Sequence, residues 1–112
     1  MNKVIVLGHL GNDPEYYEGV NKNNEKFQTA SFSICTSKSY KDKEGNWQDI
    51  PTWHKARVFG NLAPAITQNL LKGHQVLIEG QLKYEHWEKE GVKVSSAYIE
   101  IHSFKKLTTS TK

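Results

Sequence analysis

In the stretch "PTWHKARVFG", Trp53, Lys55, Arg57 and Phe59 recur at every second position. Side chains two apart in an extended strand share a face. Two large rings and two cations would therefore stand together, with His54, Ala56 and Val58 on the opposite side. Rings offer flat π surfaces and cations neutralise negative charge. A ligand that carries flat bases on a phosphate chain uses both, and unpaired strands expose the base faces that a duplex hides. In proteins that bind single strands, each base stacked on a ring contributes about 1–3 kcal/mol by alanine substitution, whatever the base. The opposite facing would make Trp53 and Phe59 core residues. It would also draw Lys55 and Arg57 inward, at a cost on the order of several kcal/mol each unless paired.

A second segment repeats the mixture. In "QVLIEGQLKYEHW", Val76, Ile78 and Leu82 share one parity and read as core, while Lys83 and Trp87 share the other with Glu79, Gln81 and Glu85. Tyr40 and Trp47 flank a charged loop that carries Lys41 and Lys43. Tyr40 has the parity of Phe32 and Ile34, so facing it outward requires a twist or bulge near the end of its strand.

The elements that must position these side chains follow from pattern and punctuation. "NKVIVLGHLG" is rich in β-branched residues and reads as a strand with a bend at its glycines. "NDPEYYEGVNKNNEK" is polar and turn-rich, which predicts a long exposed loop. A strand over 27–40 carries Ala30, Phe32 and Ile34 on one side. "KDKEGNWQD" forms a hairpin tip, and the strand over 48–59 follows. "GNLAPAITQNLLKG" reads as a helix with Asn61 as N-cap, Pro64 in the first turn, an apolar row Leu62, Ile66, Leu70, and Gly73 as terminator. Strands over 75–87 and 92–104, joined by "EKEG", complete the chain. Five strands with one helix between the third and fourth predict an all-β OB-fold, a five-stranded Greek-key barrel. An open α+β sheet is the alternative.

With 112 residues, 37% of them apolar, and a net charge of +3, the chain has the size of one domain and a mild basic excess. That excess permits a polyanionic partner without requiring one. A single cysteine, Cys35, excludes an internal disulfide, suits a reducing cytosol and is expected as a small buried residue. The longest apolar run, "VIVL", is far short of a membrane span. The 5 histidines lack metal-ligand spacing, so no metal or cofactor is expected. Asp13 and Glu15 flank Pro14 and read as a turn. The competing idea, a metal-dependent nuclease built on that pair, has no nucleophile or phosphate loop to accompany it, and no enzymatic activity is expected.

Taken in order, "NKVIVLGHLGNDPE", "TWHKARVFGNLA" and "LLKGHQVLIEGQLKYEHW" resemble the bacterial single-stranded DNA-binding protein family over nearly the whole chain. The resemblance implies sequence-independent binding and protection of single-stranded DNA in replication, recombination or repair, in the bacterial cytoplasm or nucleoid. It puts Tyr40, Trp53, Phe59 and Trp87 on the principal stacking positions, with Tyr40 replacing a common Trp. It also implies that Lys55 contacts phosphate, that Lys83 is a basic position, and that a homotetramer forms with His54 and Gln75 near subunit contacts. The chain departs from the family pattern in several places. Its first hairpin is longer and lacks an arginine after Asp-Pro-Glu, Asn61 stands for a common lysine, and Glu85 lies in a usually more basic stretch. Fewer cations imply a shallower salt dependence. The domain is expected to span 1–107, followed at 108–112 by a short polar end without the acidic tail that relatives use to recruit partners. An RNA-binding OB module or a dimeric accessory protein remains an alternative.

Overall fold

The alternation in the sequence is realised as six strands and one helix in the computed structural model, which describes residues 1–107. The elements are β1 (Val4–Leu10), β2 (Glu15–Val20), β3 (Lys26–Lys41), β4 (Trp47–Phe59), α1 (Leu62–Asn69), β5 (Gln75–Lys89) and β6 (Val92–Leu107). The polar end expected at 108–112 lies outside the described residues.

The sheet order is β1-β5-β6-β4-β3-β2, and β1 also pairs with β3. Five strands thus return on themselves, through a short antiparallel contact (His9 with Cys35, Leu10 with Ile34) and a short parallel one (Ala56 with Ile99, Arg57 with Glu100). With the helix between β4 and β5, this is the expected OB architecture carrying one additional strand. That strand is β2. The segment expected as a loop instead forms a hairpin with β3, from Glu15 opposite Ser31 to Val20 opposite Lys26. Its turn is tied by Asn21, whose Oδ1 accepts the N–H groups of Asn23 (2.9 Å) and Glu25 (3.0 Å).

The core collects one parity from each barrel strand: Val6 and Leu10, Ala30, Phe32 and Ile34, Ala56 and Val58, Val76 and Ile78, Ile99 and Ile101. Helix α1 closes the bottom with Ala63 and Ile66, followed by Leu70. It is shorter than expected. Leu70 is already extended, and the chain turns back before Gly73, whose N–H reaches the Leu10 carbonyl at 2.9 Å. Asn61 stands at the N-cap without a side-chain cap bond, because its Oδ1 accepts from Gln28 Nε2 at 3.3 Å. Asp13, expected to form a turn, instead makes a long-range contact: its Oδ1 accepts the Lys72 N–H at 2.8 Å and ties the first loop to the segment that follows the helix.

Two hairpins outgrow the barrel. The Cα radius of gyration is 16.7 Å, against about 13 Å for a compact domain of this length. Beyond Thr36 both parities of β3 are exposed, as are both parities of β4 before His54. Tyr40 therefore meets solvent without a bulge, since the β3–β4 register runs unbroken from Thr29–Phe59 to Lys41–Trp47. The β5–β6 hairpin does the same after a register shift beside Glu79 and Gly80. Leu82, expected in the core, is exposed there because β1 covers β5 only as far as Gly80, so Leu82 lies past that edge although it still pairs with buried Ile99. This hairpin turns on Glu90 (φ 51) and Gly91 (φ 79), the paired positive φ values of a type I′ turn.

Candidate nucleic-acid interface

Because Ala56 and Val58 face the core, the odd residues of β4 must face out. Trp53, Phe59 and, on β5, Trp87 are 60%, 46% and 44% exposed. The interior reading of these rings is excluded. Trp53 owes its placement to Gly11: a Cβ there would run into the Trp53 ring and come within 2.8 Å of Ser33 Oγ. A bare backbone at that point leaves room for the indole atoms Cζ3 and Cε3, while the ring as a whole stays largely open to solvent.

Lys55 and Arg57 share this face but differ in their partners. Lys55 Nζ donates to Ser96 Oγ at 3.0 Å. Arg57 is gripped by Glu85, with Nη1 and Nη2 each donating to a carboxylate oxygen at 2.7 Å, and its guanidinium lies 4.5 Å from the centre of the Tyr98 ring. The hydrogen bonds from Arg57, aided by its charge and that of Lys55, hold the Glu85 carboxyl below its ordinary pKa despite some desolvation. Glu85 in turn raises the pKa of Arg57. Lys83 lies 3.6 Å from Glu100, itself 3.3 Å from His102. Two of the expected phosphate-binding cations are therefore already partnered, whereas among the described residues no carboxylate pairs with Lys41, Lys43 or Lys55.

On the projecting β3–β4 arm, Trp47 is exposed with the parity of Trp53, and Lys41 Nζ lies 6.0 Å from its ring centre. Lys43 sits in the turn, which Asp42 organises. Asp42 Oδ1 accepts the N–H groups of Glu44 and Asn46 at 2.9 Å, and the Asn46 bond foremost lowers the pKa of its carboxyl. Tyr40 is exposed but belongs to the other face of the arm, paired with Gln48. The structure thus brings Trp47, Trp53, Lys55, Arg57, Phe59, Lys83 and Trp87 to one side and leaves Tyr40 on the other.

His54 is half-buried, its Nε2 3.0 Å from Thr36 Oγ1, and Gln75 begins β5 opposite His9. Cys35, expected buried, is half-buried on the outer face, opposite Trp53.

One component was missed. Across from Trp53, Lys55 and Arg57, β3 presents Cys35, Ser33 and Ser31. Ser31 and Ser33 floor a shallow groove of about 280 Å³ between Asn12 and Glu15 on one side and Lys55 and Arg57 on the other. The signal was present in "SFSIC", where small residues alternate with core residues.

The sequence model of the single-strand binding protein family matches residues 1–107. This chain belongs to that family. It is 41% identical over 88 residues to single-stranded DNA-binding protein 1 of Chlorobaculum tepidum, covering 79% of this chain and 52% of that one. To the single-stranded DNA-binding protein of Xylella fastidiosa it is 38% identical over 87 residues, covering 76% and 49%. The chain spans about half the length of the curated relatives it matches. Among solved structures, a Plasmodium falciparum SSB in complex with ssDNA shares the fold at a TM-score of 0.78 and 22% identity, over 96% of both chains. A small single-stranded DNA-binding protein from Streptomyces coelicolor matches at a TM-score of 0.67 and 21% identity, over 93% of this chain and 92% of that one.

Proposed function

We propose that this chain binds single-stranded DNA without sequence preference and shields it during replication, recombination or repair, in the cytoplasm or nucleoid of a bacterial cell. The observation that carries the reading is the outer face of β4, where Trp53 and Phe59 flank Lys55 and Arg57 beside a floor of small residues. Exposed rings accept the faces of unpaired bases, Lys55 meets phosphate, and the serine floor leaves room for the chain between them. Trp47 with Lys41 and Lys43 on one arm, and Trp87 with Lys83 on the other, lengthen the track. Tyr40 joins from the far face where the strand passes round the arm. Membership of the family supports the reading. The test is fluorescence anisotropy of a labelled thymidine oligomer: tight binding is expected, with duplex of equal length bound far more weakly. Equal binding of duplex would remove stacking from the account, and preference for a matched RNA oligomer would redirect it.

The chain also acts, on this reading, as a homotetramer. Residues Val4–Gly8 of β1 pair with β5 on one edge, while β3 reaches only His9 and Leu10 on the other. That open edge is flanked by exposed Ile5 and Leu7, which suits strand addition by a second copy. His54 and Gln75 would line further subunit contacts. Light scattering should give about four times the 12.8 kDa chain mass, and a stable monomer would contradict the assembly.

A further inference from the structure

We propose that Tyr17 and Phe27, on the hairpin formed by β2 and β3, make an additional base-stacking station that carries the bound single strand past Phe59. The inference rests on the single-strand reading above. Its geometric basis is the register: Tyr17 pairs with Thr29, and Thr29 pairs with Phe59, so all three side chains share one face of three adjacent strands. With strands about 4.8 Å apart, Tyr17 and Phe59 are separated by about 10 Å across the sheet. Only the small Thr29 lies between them. Both rings of the station are open to solvent, Tyr17 at 60% and Phe27 at 37%. They lie 5.8 Å apart between centres, tilted by 46°. Gly19 is the bare position between them, since a Cβ there would come within 3.1 Å of both the Phe27 ring tip and the Tyr17 hydroxyl.

The two rings do not belong to the core cluster. The hairpin is braced instead from its opposite face. There Tyr16 donates to Gln28 Oε1 at 2.7 Å, Gln28 bonds Asn61 at the start of the helix, and Tyr16 lies beside Pro64, Thr67 and Gln68. A braced arm holding two unburied rings costs little further ordering when a base arrives. The hairpin carries Glu15, Glu18 and Glu25 against Lys22 and Lys26, three acidic residues to two basic ones. Its contribution is therefore stacking rather than net phosphate neutralisation, a signature that separates it from the cationic part of the track.

The experiment compares the full chain with Tyr17→Ala, Phe27→Ala and the double variant, using labelled thymidine oligomers of increasing length at two salt concentrations. Short oligomers that end at Phe59 should bind all four proteins alike. Longer ones should lose about five- to a hundredfold in affinity for the double variant, with an unchanged salt slope. Ultraviolet irradiation of the unmodified protein on a long thymidine oligomer should cross-link Tyr17 or Phe27, read by peptide mass spectrometry, which keeps the test independent of how the variants fold. The station is overturned if the unmodified protein binds, Trp53→Ala weakens it, and yet the double variant keeps full affinity at every length with no cross-link within 15–29. Failure of the unmodified protein to bind any oligomer would instead overturn the single-strand reading, and this inference with it.

Discussion

Along β4 the barrel end and the arm end obey different rules. Between Ala56 and Phe59, one parity is sealed in the core and the other faces out. From Trp47 to Thr52 every residue is exposed, whatever its parity. The same contrast separates Val76 and Ile78 from Leu82 along β5. In the barrel, alternation is enforced by burial, and each inward side chain contributes to stability. On the arms nothing enforces it. Rings there are free to serve a ligand because folding does not need them.

The sharpest way to break this division is a pair of substitutions. Ile78→Ala, at a fully buried position, should lower unfolding free energy by about 2–5 kcal/mol in urea titration. The folded fraction should still bind a thymidine oligomer. A large loss of affinity without loss of stability would erase the distinction. Gly11→Ala is expected next in size. The new methyl would push the Trp53 ring off its seat, so affinity should fall several-fold and tryptophan emission should shift, while the melting temperature moves by only a few degrees. An unchanged emission spectrum would mean that the indole does not need that seat.

Smaller effects sharpen the electrostatic side. Glu85→Gln removes the partner that occupies Arg57. The log–log salt slope of single-strand binding should steepen by about 0.7, the increment for one more neutralised phosphate. An unchanged slope would show that Arg57 stays out of reach of the ligand. The pair also sets a pH dependence. Since the folded protein holds the Glu85 carboxyl below its ordinary pKa, the pair stabilises the fold at neutral pH. That stabilisation starts to fade as pH falls through the ordinary glutamate range and is gone below the depressed folded value. Acid unfolding of Glu85→Gln should accordingly show a weaker pH dependence in that window, and identical profiles would remove the pair from the stability account.

Much of the division was legible in the residues. The parity of "TWHKARVF" located the outer face, and two Lys-Glu-Gly runs located both hairpin tips, because alternation and turn chemistry are local properties. What was misread depended on where the barrel stops. Leu82 has the parity of Val76 and Ile78, and no residue of its own marks the point where β5 leaves the body. Tyr40 was expected to need a bulge for the same reason. The hairpin of β2 was hidden by its composition. "EYYEGV" and "EKFQT" alternate weakly, and the polar turn between them resembles a loop until the pairing with β3 is seen. Arg57 has the right parity for a ligand contact, but its capture by Glu85 joins strands 28 positions apart. No local pattern encodes that.

All three tryptophans, Trp47, Trp53 and Trp87, are exposed on the candidate face, so intrinsic fluorescence reports on the arms and outer surface with no contribution from a buried indole. Titration with a long thymidine oligomer is therefore the most direct test of stacking by solvent-facing rings. The account predicts a strong, saturable quench that duplex of equal length does not produce and that Trp53→Phe diminishes. Emission that stays constant at saturating oligomer, with binding established independently by anisotropy, would contradict it.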